Sequence, residues 1–368
     1  MPVLRAKRVA QKMHEWRVKR MEKRDGGRLR IGVIGCGAIA VRRHLPEFAA
    51  RDDVEIAALY NRTREKAENM QKQYGGTVCG SVEELLSMDL DAVSICTANV
   101  THAEYAVQAL KAGMHVLCEK PMAMSPEECA AMTAEAEKAG RLLMIAHNQR
   151  FLTSHVIAAG LIQGGAIGKL LSFEAEFSHA GPDEWTGTAD PWFFRKNEAG
   201  MGVLADLGIH KTDLIHYLTG ESVTEVSAHT ATLDKTYPDG RPIDVEDNAW
   251  CFFRLQGGAN GTMYVSWTNY GQGRNSVVLR GTEGAIRCGE DGEDSLLLET
   301  GEGVRRLPGD RERTENRPSG MIDEFIDCIL TGKKCRSTGA EALKAMRVIF
   351  AAAESAASAS PVRIPENG

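Results

Sequence analysis

The stretch CEKPMA, residues 118–123, places an acid, a base and a proline side by side directly after the hydrophobic run 114–117. Two readings are open at this level. Glu119, Lys120 and Pro121 are surface punctuation at a strand end, or they deliver a lysine into a reaction site. An ammonium so placed can donate a hydrogen bond to a reacting oxygen and stabilise developing alkoxide charge. Pro121 fixes φ and removes a backbone donor, which makes a rigid or cis turn a candidate. A second constellation is Asp206 and His210, four residues apart. If 206–218 is helical, the two share one face, which Asp213 and Tyr217 extend, while Leu207, Leu214 and Leu218 mark a core-facing side. A carboxylate beside an imidazole suits hydroxyl binding with a proton relay, and His210 is the natural general acid/base because it titrates near neutral pH. Taken alone, such a pair is more often a surface feature.

A third signal is Gly35-Cys36-Gly37-Ala38-Ile39-Ala40, a G-x-G-x-x-A turn that follows the apolar run LRIGVI and opens a helical stretch. Gly35 permits a sharp turn, Gly37 lets backbone approach a pyrophosphate, and Ala40 is small enough for close helix–sheet packing. The amides at the helix start, including those of Ala38 and Ile39, face the phosphates. The second strand ends Tyr60-Asn61-Arg62-Thr63-Arg64, without a carboxylate where an NAD site holds its ribose diol. Asn61 can bond a ribose hydroxyl, and Arg62 can pair with a 2′-phosphate. The cofactor reading is therefore NADP or NAD, leaning to NADP. The alternative leaves Arg62 and Arg64 as solvated charges at a helix entry.

These residues need elements to hold them. From Leu29, short apolar runs (LRIGVIG, EIAALY, DAVSIC, HVLCEK, RLLMIAH) alternate with helical stretches such as THAEYAVQALKAG. SPEECAAMTAEAEKAG reads as a helix with Ser125 as N-cap, Pro126 at its first position and Gly140 at its end. Such alternation predicts a doubly wound parallel sheet with helices on both faces. After about residue 150 the segments KLLSFEAEFSHA, EDNAWCFFRL, ANGTMYVSWTNY and NSVVLRGTEGAIRC alternate as half-exposed strands, which predicts a large, mostly antiparallel sheet. One helix interrupts them around 203–218, and two more close the chain. The expected architecture is α/β: a basic extension over 1–28, a Rossmann domain over 29–150 and an α+β domain over 151–368.

Length and composition bound the function. With 368 residues, a net charge of -6 and 26% charged residues, the chain reads as an ordinary two-domain enzyme with no basic field for nucleic acid. Nine cysteines without a C-x-x-C pair argue against a zinc knot or disulfide scaffold and for free thiols in a reducing cytoplasm. No run is long enough for a membrane span, and no signal peptide is expected. The first 28 residues hold ten Lys/Arg against three Asp/Glu. They read as a solvated helical extension or oligomer arm, or as an anion- or membrane-surface-binding segment.

GVIGCGAIA, CTANVTHAEYAVQALKAGMHVLCEKPMA and GVLADLGIHKTDLIHYLTG resemble the glucose–fructose oxidoreductase / inositol dehydrogenase (Gfo/Idh/MocA) family from about residue 29 to the end of the chain. The resemblance implies hydride transfer between a nicotinamide and a secondary alcohol or ketone of a sugar, sugar derivative or cyclitol. It implies that Lys120 meets the reacting oxygen, Glu119 lies near the nicotinamide ribose, and Asp206 and His210 bind and relay. Thr97, Asn99 and His102 resemble the family's nicotinamide-side loop, with a helix N-terminal hydrogen bond as the other reading for His102. Asn148 and Arg150 are candidates for the substrate side of the cleft. Trp192 and Arg195 are candidates for a cover over the cofactor, with a core tryptophan equally open, and His147, His179 and His216 read as structural. The family often carries three glycines where this chain has Gly200-Met201-Gly202. The resemblance also implies a homodimer or homotetramer built through the exposed face of the C-terminal sheet; no metal, membrane or nucleic-acid partner is expected. Two alternatives stay open: an NAD-dependent glycosidase working by transient oxidation and elimination, and a non-catalytic NADP-binding protein.

Overall fold

Six short strands make the first sheet, all but β3 largely buried: β1 (Leu29–Ile34), β2 (Val54–Tyr60), β3 (Thr77–Val78), β4 (Ala92–Ile95), β5 (His115–Cys118) and β6 (Leu143–Ile145). All are parallel, in the order β3-β2-β1-β4-β5-β6. β4, β5 and β6 have no exposed residue, as expected when helices cover both faces of a parallel sheet. The strand order reverses between β1 and β4, which opens a crevice at their C-terminal ends. The computed structural model describes residues 27–289, 295–308 and 319–365. The basic extension read over 1–28 therefore lies outside the described residues up to residue 26.

The second sheet has nine strands: β7 (Leu170–Ser178), β8 (Val223–Ala231), β9 (Asn248–Leu255), β10 (Asn260–Ser266), β11 (Arg274–Gly281), β12 (Gly284–Cys288), β13 (Leu296–Thr300), β14 (Gly303–Leu307) and β15 (Val362–Arg363). Their order is β14-β13-β12-β11-β7-β10-β9-β8-β15, and β7–β10 is the one parallel pair among these neighbours. β9 shows why one face is covered. Cys251, Phe253 and Leu255 are buried while Trp250, Phe252 and Arg254 alternate outward. Phe173 and Phe253 stack on the inner face with ring centroids 6.4 Å apart. Gly261 lies under the Phe173 ring, where a Cβ would enter the ring itself.

The chain divides into two compact units. One holds the described residues up to 123, then 127–146 and 319–341; the other holds 124–126, 147–289, 295–308 and 342–365. The helix Met321–Thr331 thus belongs with the parallel sheet, a return that a single cut at residue 150 does not contain. Arg51 bonds Asp323 and Asp327 there, Ser319 bonds Glu47, and Ser337 exchanges hydrogen bonds with Ile145 of β6. All nine cysteines are free and buried. Among the described residues no helix is long and apolar enough to cross a membrane.

Candidate active site

In the parallel-sheet unit, the turn after β1 separates two kinds of glycine. Gly35 has φ +98, its N–H donates to Tyr60 O at 2.7 Å, and a Cβ would strike the Cys96 carbonyl. The chain itself demands that glycine. Gly37 has no positive φ, and a Cβ there would meet nothing nearer than the Cys96 carbonyl oxygen at 4.0 Å. Its bareness serves no internal packing; it leaves backbone accessible to a group from outside, as a dinucleotide pyrophosphate requires. Ala38 and Ile39 are exposed beside it, and Ala40 is fully buried against the sheet. The residues present fit a dinucleotide.

Asn61 also has partners within the chain. Its Oδ1 accepts the Cys36 N–H at 2.9 Å and its Nδ2 donates to Thr63 O at 2.9 Å, so it ties the glycine turn to the end of β2. Through these two bonds Asn61 braces the turn. Arg62 is exposed next to it, and Arg64 pairs with Glu68 at 2.8 Å.

At the end of β5, the Lys120–Pro121 peptide bond is cis, as the motif suggested. Lys120 is half-buried. Glu119 is 8% exposed and its carboxylate is shared: Oε1 lies 2.8 Å from His44 Nε2, and Oε2 accepts the Lys120 N–H at 3.2 Å. His44 is fully buried and its Nδ1 lies 2.7 Å from Ser94 Oγ on β4. Burial alone would keep the imidazole neutral, but the Cys96 sulfur and the Glu119 carboxylate beside it raise its pKa well above the ordinary value. Burial would likewise raise Glu119, yet the hydrogen bond and charge of His44, with Lys120, hold it below the ordinary value. Nothing in the sequence marked His44, since its partners lie 50 and 75 residues away.

His102 is fully buried at the start of the helix His102–Lys111. Its Nδ1 lies 2.8 Å from Pro121 O and its Nε2 3.1 Å from Thr97 O. With no exposed surface and both ring nitrogens on backbone carbonyls, it clamps the loop after β4 to the turn after β5. Burial lowers its pKa against the pull of those carbonyls. Thr97 is half-buried and accepts the Thr101 hydroxyl at 2.7 Å, and Asn99 is 5% exposed.

In the second unit, the helix expected over 203–218 starts as a π turn, Leu204–Gly208, and becomes α-helical over Ile209–Thr219. The π turn widens the coil, so the four-residue spacing of Asp206 and His210 does not carry the α-helical geometry assumed from sequence. Glu246 organises the entry: its Oε1 accepts the Gly202 and Leu204 amides at 2.9 and 3.1 Å. Gly202 is pressed against the Glu246 carbonyl, while Met201 is half-buried between two glycines. Asp206 and His210 are each 8% exposed. Asp206 Oδ2 accepts the indole N–H of fully buried Trp267 at 3.1 Å. The His210 ring lies 5.8 Å from Phe177, tilted. Trp267, inside β-rich sequence, and Glu246 were not foreseen.

The expected polar stripe is not solvated: every residue from Ile209 to His216 is buried. Asp213 holds Arg150 through two hydrogen bonds of 2.7 Å, and Arg150 stacks over Tyr217 at 5.5 Å. Burial opposes the Asp213 charge, but His147 and Arg150 hold its pKa below the carboxylate value. That contribution is complete above the ordinary carboxylate range and is lost only as pH falls below it. At 4% exposure Arg150 supports the helix from within, whereas Asn148 is exposed. Trp192 stacks on Phe193 at 3.9 Å and Arg195 pairs with Asp190 and Glu198, so both serve their own loop. His147, 3.7 Å from Asp213, His179, which accepts the Gly181 amide, and His216, which accepts the Val223 amide, have structural partners.

Comparison with known proteins matches this description. An oxidoreductase-family model with an NAD-binding Rossmann fold covers residues 29–147, and the Gfo/Idh/MocA C-terminal domain model covers 155–287. The chain belongs to the Gfo/Idh/MocA family. Levoglucosan dehydrogenase of Pseudarthrobacter phenanthrenivorans is 33% identical over 238 residues, 57% of this chain and 58% of its own length. D-glucoside 3-dehydrogenase of Escherichia coli is 32% identical over 206 residues, 55% of this chain and 57% of its own. The chain thus spans little more than half the length of these curated relatives. A solved structure of levoglucosan dehydrogenase in complex with NADH superposes with a TM-score of 0.84 at 26% identity, covering 92% of this chain and 99% of that one.

Proposed function

We propose that this chain is an NAD(P)-dependent oxidoreductase that moves a hydride between the nicotinamide and a secondary alcohol or ketone of a sugar, sugar derivative or cyclitol. One observation carries the reading: the dinucleotide turn and the Glu119–Lys120–Pro121 turn end two strands of the same parallel sheet. The NADH complex of levoglucosan dehydrogenase and the sugar dehydrogenases among its relatives support it. The cofactor, when bound, accepts or supplies the hydride. Lys120 donates a hydrogen bond to the reacting oxygen and stabilises negative charge on it. His210 takes or returns the hydroxyl proton. Asp206, fixed by Trp267, accepts a substrate hydroxyl, and Asn148 adds a polar contact. Gly35, Gly37, Ala38 and Ile39 hold the pyrophosphate, with Thr97, Asn99 and Glu119 on the nicotinamide side.

NADP is favoured over NAD on one ground, the exposed Arg62 at a strand end without a carboxylate. The test is a screen of sugars, inositols and their keto forms with both cofactors, followed at about 340 nm. Turnover with at least one polyol is expected, and Arg62→Ala is expected to weaken NADP more than NAD. No absorbance change with any compound, with aryl glycosides cleaved, would replace this reading by the glycosidase one. Equal losses for both cofactors would remove Arg62 from 2′-phosphate recognition.

The outer face of the second sheet is assigned to a second copy of the chain. Trp250 and Phe252 are 40% and 52% exposed there, Trp250 stacks on Tyr264 at 5.3 Å, and they border an open depression of about 530 Å³. Such a contiguous aromatic patch is unusual on a surface that stays wet. Light scattering is expected to give a dimer or larger, and Trp250→Glu a smaller mass; a monomeric wild type overturns the assignment. The nine buried free thiols fit a reducing compartment, and the cytoplasm is the proposed location.

A further inference from the structure

We propose that His44 is a positioning residue for Lys120: as an imidazolium it fixes the Glu119 carboxylate, and through it the backbone of the turn that presents the lysine. The proposal rests on the oxidoreductase reading above. His44 ends the helical turn Ala40–His44 that follows the glycine turn, so its side chain links that helical segment to the Glu-Lys-Pro turn. The contacts run without a break. Nε2–H donates to Glu119 Oε1 at 2.8 Å, Glu119 Oε2 accepts the Lys120 N–H at 3.2 Å, and Nδ1 meets Ser94 Oγ at 2.7 Å. Ser94 Oγ in turn lies 3.6 Å from Cys96 Sγ.

Stability alone does not account for this arrangement. Replacing a buried ion pair by apolar side chains of similar volume is often neutral or stabilising. A histidine and a glutamate with 0% and 8% exposure are a costly way to fill space unless their direction is used. What they direct is the lysine's own backbone amide, and small displacements of a reacting group are costly in rate.

The charged and titratable groups in play are few. His44 faces Cys96 at the end of β4 and Glu119; Glu119 also faces Lys120, Cys118 of β5 and His102 of the neighbouring helix. In His44→Gln the amide still donates to Glu119, but the positive charge is gone. Burial then acts on Glu119 with less opposition, so its pKa rises. The functional form is the ionised carboxylate, which accepts the Lys120 N–H; activity is therefore lost as pH falls through the raised value.

The experiment compares kcat against pH for wild type, His44→Gln, His44→Ala and Ser94→Ala, with nitrogen NMR of His44 in the nucleotide-free protein. His44→Gln is expected to lose about 100-fold in kcat at the acid end of the profile and to recover to within about 3-fold at its alkaline end, with little change in KM. His44→Ala is expected to stay low throughout. A wild-type profile in His44→Gln, or a loss independent of pH and matched by a lower Tm, overturns the proposal. Should His44→Gln fail to fold, Ser94→Ala decides: a shallower form of the same acid limb supports the proposal and an unchanged profile overturns it. Should wild type turn over no polyol, the oxidoreductase reading fails separately, and the NMR decides the pair. An imidazolium signal at about pH 7.5 supports it; a neutral ring there removes its basis.

Discussion

Lys120→Ala is expected to fold normally and to lose kcat by about 10³-fold or more, with a smaller effect on nucleotide affinity. The half-buried side chain leaves little behind when truncated, and alanine keeps the N–H that Glu119 accepts. The loss then falls on the reacting oxygen alone. His210→Gln tests the proton side: glutamine retains hydrogen bonding but does not titrate near neutral pH, so about a 10²-fold or greater loss is expected. Steady-state rates at about 340 nm, with thermal melts to confirm folding, check both. Near-normal rates in the two variants would exclude these residues from the chemistry, and with them the reading of the motif.

The second large effect separates two glycines that look alike in the sequence. Gly37→Ala should fold within about 0.5 kcal/mol of wild type, because its Cβ would meet nothing nearer than the Cys96 carbonyl oxygen at 4.0 Å. It should lose dinucleotide affinity by at least about 100-fold, since the same space is where a pyrophosphate must approach. Gly35→Ala should do the reverse in origin: φ +98 and the Cys96 carbonyl force a strain of about 3 kcal/mol, so affinity falls because the turn itself is damaged. Paired measurements of melting temperature and fluorescence-detected NAD(P) binding distinguish the two. A Gly37 variant that binds normally would mean that the bare backbone serves no ligand.

Much of the architecture was legible because it obeys local rules. Strands β1, β2, β4 and β5 announce themselves as apolar runs closed by turn residues, and the helix Pro126–Ala139 carries its own start and stop. β3 has two residues and leaves no periodic trace, and β14, with four of its five residues exposed, carries no apolar pattern. The segment NSVVLRGTEGAIRC reads as one strand but is the hairpin β11–β12, turned at residues 282–283. Site residues fall in the same two groups. Lys120 and the glycine turn sit within motifs, so spacing finds them. His44, Ser94, Trp267 and Glu246 act through partners 42 to 75 residues away, and such contacts have no local signature. The helix carrying His210 misled for a further reason: a π turn adds a residue that no hydrophobic period reveals.

The buried thiols have a use as clocks. A maleimide reagent reaches a cysteine only when the surrounding structure opens, so each labelling rate reports one local opening equilibrium. Cys251 and Cys288 belong to the second unit and the other seven to the first. Peptide-resolved labelling with and without NAD(P) would time the breathing of each unit separately in the unmodified chain, and Cys36, inside the glycine turn, should be the one that a bound dinucleotide slows most.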